Sequence, residues 1–145
     1  MSSQPTGPYK FANVYSGMLI GVQGASTEQG APLVQWPDNG SPDQQWMLLP
    51  IMGRDRDPAF IIENVNSRLV ISVQEQEWWL AQLPYSGSRG QQWQVAEVAG
   101  RDVIFVSETN GQLLSVQGQS KEAGANLVLS RNEDNIYQQW AMSKA

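Results

Sequence analysis

The sequence of 145 residues contains neither cysteine nor histidine. Without cysteine there is no disulfide, no thiolate nucleophile and no thiolate metal ligand. Without histidine there is no imidazole base and no imidazole metal ligand, so the Ser-His-Asp and Cys-His arrangements are excluded as well. Most hydrolase mechanisms and the common zinc sites are therefore ruled out.

Basic residues and long apolar runs are also scarce. Nine Lys and Arg stand against 14 Asp and Glu, a net charge of −5, which disfavours nucleic acid or an anionic membrane surface as a partner. No apolar run approaches the roughly 18 residues of a membrane-spanning helix, so we expect no membrane insertion. The first residues form neither the basic nor the apolar region of a signal peptide. Together with the lack of cysteine, this fits cytoplasmic synthesis or a domain excised from a larger secreted protein, and the localisation stays open.

Carboxylates are the remaining route to catalysis, because a pair of them can hydrolyse a glycosidic bond. Here the acidic residues lie mostly in predicted turns and connections. No insertion forms a cleft that would desolvate one carboxyl group and raise its pKa. We therefore predict a protein that is not an enzyme and uses no metal and no cofactor.

Turn-forming residues are plentiful. The 13 glycines, eight prolines and many Gln, Asn and Ser residues favour tight turns over long helices. The chain is long enough to bury a core of its own without staples. We expect a single all-β domain over residues 1–145.

Two phrases recur along the chain. The tripeptide Gln-Gln-Trp occurs at 44–46, 91–93 and 138–140, at a spacing of 47 residues both times. An apolar phrase that ends in Val-Gln precedes each tripeptide, at 19–23, 70–74 and 113–117. The interval between phrase and tripeptide is four residues shorter in the second repeat. The spacing predicts three repeats, approximately 8–52, 58–99 and 100–145.

Each repeat contains four short β-branched or apolar runs bounded by turn residues. The predicted strands are 9–14, 18–22, 32–36, 45–50, 59–65, 69–73, 79–83, 92–98, 102–107, 112–116, 126–130 and 139–142. Twelve short strands in three equivalent groups predict a closed barrel of hairpins, the β-trefoil, because closure leaves no long edge exposed.

Three QxW motifs at this spacing resemble the ricin B-type lectin family, and the resemblance spans nearly the whole chain. The segment 26–40 running into 43–46 is especially similar to compact bacterial and fungal members. The resemblance implies a β-trefoil that binds sugars without catalysis, with up to three shallow sites, one per repeat. The expected partners are the glycans of a glycoprotein, a glycolipid or a polysaccharide.

The QxW tryptophans themselves should be structural. We expect Trp46, Trp93 and Trp140 to be buried near the symmetry axis, with the indole N–H and the Gln amide satisfying backbone groups. They define the scaffold and not a ligand site.

Sugar binding needs an exposed aromatic face and nearby polar groups, and only the first repeat offers both. The position of the family's stacking aromatic holds Trp36 in the first repeat, Leu83 in the second and Ser130 in the third. The polar position just before QxW holds Asp43, Gly90 and Tyr137. The predicted carbohydrate-binding residues are Trp36, Asp38, Asn39, Asp43 and Gln44. A possible second site comprises Ser115, Asn126 and Arg131.

The sequence departs from the galactose-binding members at one important position. Those proteins carry an Asp within the upstream phrase, where this chain has Gly21, Ser72 and Ser115. Either Asp38 or Asp43 replaces the missing carboxylate, or the trefoil has lost sugar binding. In the latter case the alternative is a protein-interaction or protease-inhibitor trefoil.

Two further tryptophans, Trp78 and Trp79, stand in the shortened loop of the second repeat. Alternation along a strand would leave at least one of them exposed, available for a homodimer interface. The alternative is a loop that folds back over the barrel and buries it.

Overall fold

The computed structural model describes residues 5–52, 58–100 and 102–145. Strands form wherever short β-branched or apolar runs alternate with turn residues. In chain order they are β1 (Thr6–Asn13), β2 (Leu19–Val22), β3 (Leu33–Trp36), β4 (Trp46–Met52), β5 (Pro58–Asn64), β6 (Val70–Ser72), β7 (Ala81–Leu83), β8 (Trp93–Ala99), β9 (Asp102–Ser107), β10 (Leu113–Val116), β11 (Leu127–Ser130) and β12 (Trp140–Lys144).

Six strands close a barrel. Antiparallel pairing runs from β1 to β4, β5, β8, β9 and β12, and β12 returns to β1. The other six strands form the hairpins β2–β3, β6–β7 and β10–β11. Single bridges link the three hairpins in a cycle: Pro32 with Ala81, Trp79 with Val128, and Asn126 with Val34. The molecule is a β-trefoil, as the spacing of the repeats predicts.

The three QxW tryptophans occupy equivalent places in the core. Trp46, Trp93 and Trp140 have no exposed surface. Their indole Nε1 atoms donate to the carbonyl oxygens of Ile20 at 2.9 Å, Ile71 at 3.2 Å and Leu114 at 3.2 Å. Each indole therefore links the barrel strand that begins at this Trp to the first strand of the hairpin in the same repeat, which is β2, β6 or β10.

The boundaries of most strands agree with the sequence prediction to within two or three residues. The largest difference concerns β1, predicted from residue 9 but beginning at Thr6. The strand β7, predicted from residue 79, begins at Ala81. Trp79 makes only the isolated bridge to Val128, because the shortened loop places it between strands. The charged connection 54–57, for which the sequence predicts a solvated turn, lies outside the described residues.

Buried glutamines hold the long loops of neighbouring repeats. Gln82 Nε2 donates to the carbonyl oxygens of Ser26 at 3.0 Å and Glu28 at 2.9 Å, which belong to the first-repeat loop. Gln35 Nε2 donates likewise to Ser120 at 3.1 Å and Glu122 at 2.9 Å, in the third-repeat loop. We call these two arrangements the glutamine clamps.

The equivalent position in the third repeat is Leu129, which packs partly buried against the core. The loop that would face it is the shortened one of the second repeat, which offers fewer carbonyl groups. An apolar side chain there avoids an unsatisfied buried amide.

Among the described residues, no helix is long and apolar enough to cross a membrane.

Candidate functional site

An open pocket of about 410 Å³ lies beside the β2–β3 hairpin. Its walls are Val22, Gln23, Gly24, Ala25, Val34, Trp36, Asn39, Asp43 and Gly124. Eight of these residues belong to the first repeat and Gly124 to the third. The volume falls near the lower end of the range of roughly 300–1,000 Å³ common for small-molecule sites.

Trp36 supplies the aromatic wall. It ends β3 and is 46% exposed, although its neighbours on the strand are buried. A Cβ atom added to Gly124 would lie 3.7 Å from Cζ3 of this ring. The indole therefore rests against the backbone of the third-repeat loop, which the Gln35 clamp holds, and the solvent-facing part of the ring remains open.

Asp43 supplies the carboxylate. It lies in a short 3-10 helix, Pro42–Gln44, and is 5% exposed. Its Oδ2 accepts a hydrogen bond from the backbone N–H of Val22 at 3.2 Å. Its carbonyl oxygen accepts one from Asn64 Nδ2 at 2.9 Å, which fixes the backbone at this point.

The position of the missing family carboxylate adjoins Asp43. A Cβ atom built on Gly21 would lie 3.2 Å from Asp43 Oδ2 and 3.3 Å from Gln44 Cγ. The Asp43 carboxylate thus fills the space next to Gly21, from the opposite wall. Asp43, and not Asp38, is the acid that the fold places there.

Asn39 lines the pocket, and Gln44 holds the turn that carries it. Gln44 Nε2 donates to the Pro37 carbonyl at 2.8 Å, and its Oε1 accepts from the Asn39 N–H at 3.0 Å. Gln44 is 1% exposed and is not among the lining residues. Its predicted contact with a ligand is corrected to a positioning role, because both ends of its amide are committed to the backbone.

Asp38 also lies away from the pocket lining. Its Oδ2 pairs with Lys10 Nζ at 2.8 Å, and its Oδ1 accepts from the Gly40 N–H at 3.1 Å. The hydrogen bond from Lys10, followed by that from Gly40, lowers the pKa of the Asp38 carboxyl below its usual value. Its predicted role as a hydroxyl partner is corrected, since it faces Lys10 on β1.

The second repeat has a different surface at the equivalent place. Leu83 ends β7 where Trp36 ends β3. Gly90 replaces the acid, and its carbonyl accepts from the Val73 N–H at 2.8 Å. A backbone group thus makes the hydrogen bond that the Asp43 side chain makes in the first repeat. Neither an aromatic face nor a carboxylate is supplied by these positions.

The third repeat is filled by its own side chains. Tyr137 takes the position of Asp43, is 5% exposed, and its hydroxyl donates to Glu133. Burial, and then the hydrogen bond to Glu133, raises the pKa of Tyr137 above its ordinary value. A buried ring with its hydroxyl bonded to Glu133 thus stands where the first repeat has the carboxylate of Asp43.

The residues predicted for a second site do not form one surface. Ser115 is fully buried, its hydroxyl bonded to the Leu113 carbonyl at 3.0 Å and to Ser130 Oγ at 2.7 Å. Asn126 is half-buried at the bridge with Val34, and Arg131 is exposed. Ser115 is corrected to a core position, because Gln138 Nε2 also donates to it at 3.2 Å.

Trp78 and Trp79 separate in exposure. Trp78 is 56% exposed and Trp79 is half-buried. The two rings meet edge to face at 85°, with centroids 5.0 Å apart. The loop is braced by Gln74 Nε2, which donates to the Trp79 carbonyl at 2.9 Å. The sequence left open whether this loop exposes its tryptophans or folds back and buries them. Trp78 is exposed, and Trp79 is half-buried.

Sequence reasoning did not find the third-repeat wall of the pocket. Gly124 lies 88 positions after Trp36, and no local motif connects the two. The available signal was the threefold repetition, because a cyclic arrangement of hairpins brings each loop against a neighbouring repeat. Within residues 5–52, 58–100 and 102–145, no group of three Asp or Glu side chains could hold a metal ion.

A trefoil with an exposed tryptophan and a buried carboxylate around one shallow pocket has the design of a lectin-like domain. The chain belongs to the ricin-type β-trefoil lectin domain-like family, whose model matches residues 2–81, more than half of the sequence. A search of curated proteins found no significant match.

Solved structures agree with this assignment. The designed threefold-symmetric protein ThreeFoil is 26% identical, with a TM-score of 0.87 over 97% of this chain and 100% of its own. An exo-β-1,3-galactanase from Clostridium thermocellum is 28% identical, with a TM-score of 0.88 over 97% of this chain, which corresponds to only 30% of the enzyme. The Rhizoctonia solani agglutinin shares the fold at 14% identity, with a TM-score of 0.80 over 100% of this chain and 99% of its own.

Proposed function

We propose that this protein binds a glycan in the first-repeat pocket, with Trp36 as the stacking platform and Asp43 and Asn39 as partners for sugar hydroxyl groups. The observation that carries the proposal is the half-exposed indole beside a buried carboxylate. An aromatic face suits the apolar C–H surface of a pyranose, and carboxylate oxygens accept hydrogen bonds from its hydroxyls.

Comparison of the three repeats supports a single site. The first repeat combines Trp36 with Asp43, whereas the second has Leu83 and Gly90. The third repeat has Tyr137 packed into the equivalent space. All three repeats have the core tryptophan, but only the first has both the exposed indole and the carboxylate. This difference supports a binding site in the first repeat alone.

Binding without catalysis fits the chemistry of the pocket. Glycoside hydrolysis ordinarily uses two carboxyl groups that flank the scissile bond. Asp43 is the one acidic residue among the described residues that line the pocket. The galactanase matches this chain over only 30% of its length, so its catalytic activity is not carried over here. The agglutinin, which matches along its whole length, supports the binding role.

A second proposal concerns Trp78. The indole of Trp78 is 56% exposed and packs edge to face on Trp79, and we propose that this aromatic pair forms a homodimer interface. Dimerisation would present two first-repeat pockets on one particle and strengthen binding to a multivalent glycan. The protein-interaction trefoil, the alternative function, would use this same surface.

Trp36→Ala tests the glycan site. We expect it to abolish retention on the glycans that bind the wild-type protein in an array, because the aromatic face is lost. The melting temperature should change little, since this ring lies outside the barrel core. Isothermal titration calorimetry with the best array ligand measures the effect.

Trp78→Ala is the matched control, because it removes another exposed indole, which stands in the second-repeat loop and does not line the pocket. It should leave the affinity for a monovalent sugar unchanged. Wild-type affinity in Trp36→Ala would contradict the proposed site. Residual binding in that variant would indicate a second site, for which Asn126 and Arg131 are the next residues to replace, each in a separate variant.

A further inference from the structure

We propose that Asp43 makes the first-repeat pocket selective by charge, so that it accepts neutral and amino sugars and rejects sugars that carry an acid group. The inference rests on the proposed function, since it concerns the ligand of the same pocket. It concerns the chemical class of the sugar and names the residue that sets it.

The first observation is the state of the carboxylate. Asp43 is 5% exposed, and the hydrogen bond to its side chain from within the described residues comes from the Val22 N–H at 3.2 Å. A carboxylate accepts about four hydrogen bonds. Its remaining acceptor positions are therefore available to donors from a ligand in the pocket that Asp43 lines.

The second observation is that no basic side chain lines the pocket in the described part of the chain. The lysine on β1 is already paired, since Lys10 Nζ lies 2.8 Å from Asp38 Oδ2. Lys121, on the third-repeat loop, lies 4.3 Å from the centroid of the Tyr15 ring. The negative charge of Asp43 is thus not neutralised by a cation of the pocket wall.

The Asp43 carboxylate and the Trp36 ring act together on a charged ligand. An uncompensated carboxylate in a partly desolvated pocket repels a second carboxylate or a sulfate within several ångströms. The same carboxylate and the face of Trp36 both attract an ammonium group, the first by a charge-assisted hydrogen bond and the second by cation–π attraction. The expected order of affinity is amino sugar, then neutral sugar, then acidic sugar.

Gly21 explains why the carboxylate lies this deep in the pocket. Any side chain at position 21 would begin 3.2 Å from Asp43 Oδ2, so the carboxylate would have to shift by a few tenths of an ångström. The glycine therefore leaves the space that Asp43 fills. The carboxylate of the pocket is therefore carried by the 3-10 helix Pro42–Gln44 and not by β2.

The test compares matched ligands on one polymer. Galactose, galactosamine, N-acetylgalactosamine and galacturonic acid, and the corresponding gluco sugars, are coupled to polyacrylamide at equal density. Multivalent display makes weak single-site binding measurable. Surface plasmon resonance at low salt should show galacturonate or glucuronate binding about tenfold more weakly than the neutral sugar of the same configuration.

Asp43→Asn keeps the hydrogen-bond acceptor and removes the charge. We expect the preference against the acidic sugar to fall by about tenfold in this variant, while the neutral sugar still binds. Asp38→Asn is the matched control, because it removes an equal charge from a residue outside the pocket lining. It should leave the order of affinity unchanged.

Two outcomes would overturn the charge selectivity. One is equal binding of neutral and acidic sugars by the wild-type protein. The other is an unchanged order of affinity in Asp43→Asn. If no conjugate binds at all, the proposed glycan function itself fails, so the two failures are distinguishable.

Discussion

At the residue scale, identical side chains have different roles because the strand register and the loops assign them different neighbours. Trp46 is buried with its N–H bonded to a backbone carbonyl, whereas Trp36, at the end of β3, is nearly half exposed. Gln44 and Gln45 are adjacent, yet the first is 1% exposed and holds the turn at Asn39, while the second is half-buried. Residue type alone does not distinguish a core position from a site position.

The pair Gly21 and Asp43 gives the first prediction at this scale. In Gly21→Ala the added methyl group would lie 3.2 Å from Asp43 Oδ2 and 3.3 Å from Gln44 Cγ. We expect the carboxylate to be displaced and the affinity for a neutral glycan to fall severalfold, which calorimetry measures. Overpacking of this kind costs about 1–3 kcal/mol of unfolding free energy, and the domain should remain folded.

The control for this substitution is the thermal unfolding curve together with binding well below the transition. A folded variant with wild-type affinity would show that the exact position of the Asp43 carboxylate does not matter for binding. Asp43→Gly in the Gly21→Ala background removes the charge and the close contact with the carboxylate, while the contact with Gln44 Cγ stays. It should regain part of the stability lost in Gly21→Ala without regaining the affinity.

At the element scale, the loops of one repeat are held by the strands of another. Each glutamine clamp joins a strand residue to two carbonyl groups of a loop, and its Oε1 accepts from a serine hydroxyl: Ser16 for Gln35 at 2.8 Å and Ser67 for Gln82 at 2.7 Å. The clamps have the same internal geometry but different surroundings. Both held loops contribute to the pocket: the loop held by Gln35 through Gly124, which lies behind Trp36, and the loop held by Gln82 through Gln23, Gly24 and Ala25.

This difference yields a paired prediction. Gln35→Leu and Gln82→Leu should each lower the free energy of unfolding by about 1–3 kcal/mol, because buried partners lose their hydrogen bonds. Gln35→Leu should also weaken glycan binding more than Gln82→Leu does, since it releases the loop that lies behind Trp36. Chemical denaturation and calorimetry on both variants provide the two measurements.

Equal loss of affinity in both variants would contradict a particular role for the loop behind Trp36. The native Leu129 shows that leucine is tolerated at this position when the opposing loop is short. Each substitution therefore isolates the loop contact, because the strand itself accepts the new side chain.

The elements were predictable to different degrees. All twelve strands follow from apolar runs and turn residues, because their alternation is local. The clamps were not predictable from any one segment, because Gln35 and Glu122 are 87 positions apart in the chain. Asp38 was misassigned for the same reason, since its partner Lys10 lies on another strand and no local pattern reveals the pairing.

At the scale of the whole molecule, the equal spacing of Gln44, Gln91 and Gln138 was sufficient to predict the architecture. Three indoles in equivalent positions require a common centre, and a barrel of six strands provides it. The first-repeat pocket was predictable in part: Trp36, Asn39 and Asp43 are among its walls. Its third-repeat wall was not, because it depends on how closely the neighbouring repeat approaches.

The proposed dimer is also tested at this scale. Replacing Trp78 and Trp79 together with serine should convert a self-associating protein to a monomer, because the exposed apolar surface is lost. Analytical ultracentrifugation measures the change, and the melting temperature should fall by only a few degrees, since Trp78 is mainly exposed. A wild-type protein that already sediments as a monomer would refute the interface.

Closure of the barrel also bears on the order in which the chain becomes functional. β1 pairs with β12, with Phe11 opposite Met142, and Gly124 completes the pocket that β2 and β3 begin. During synthesis from the amino end, Trp36 and Asp43 therefore emerge long before their third-repeat wall exists. Contacts so distant in sequence form slowly. The pocket is complete only when the last repeat docks, so a nascent or truncated chain lacks its third-repeat wall.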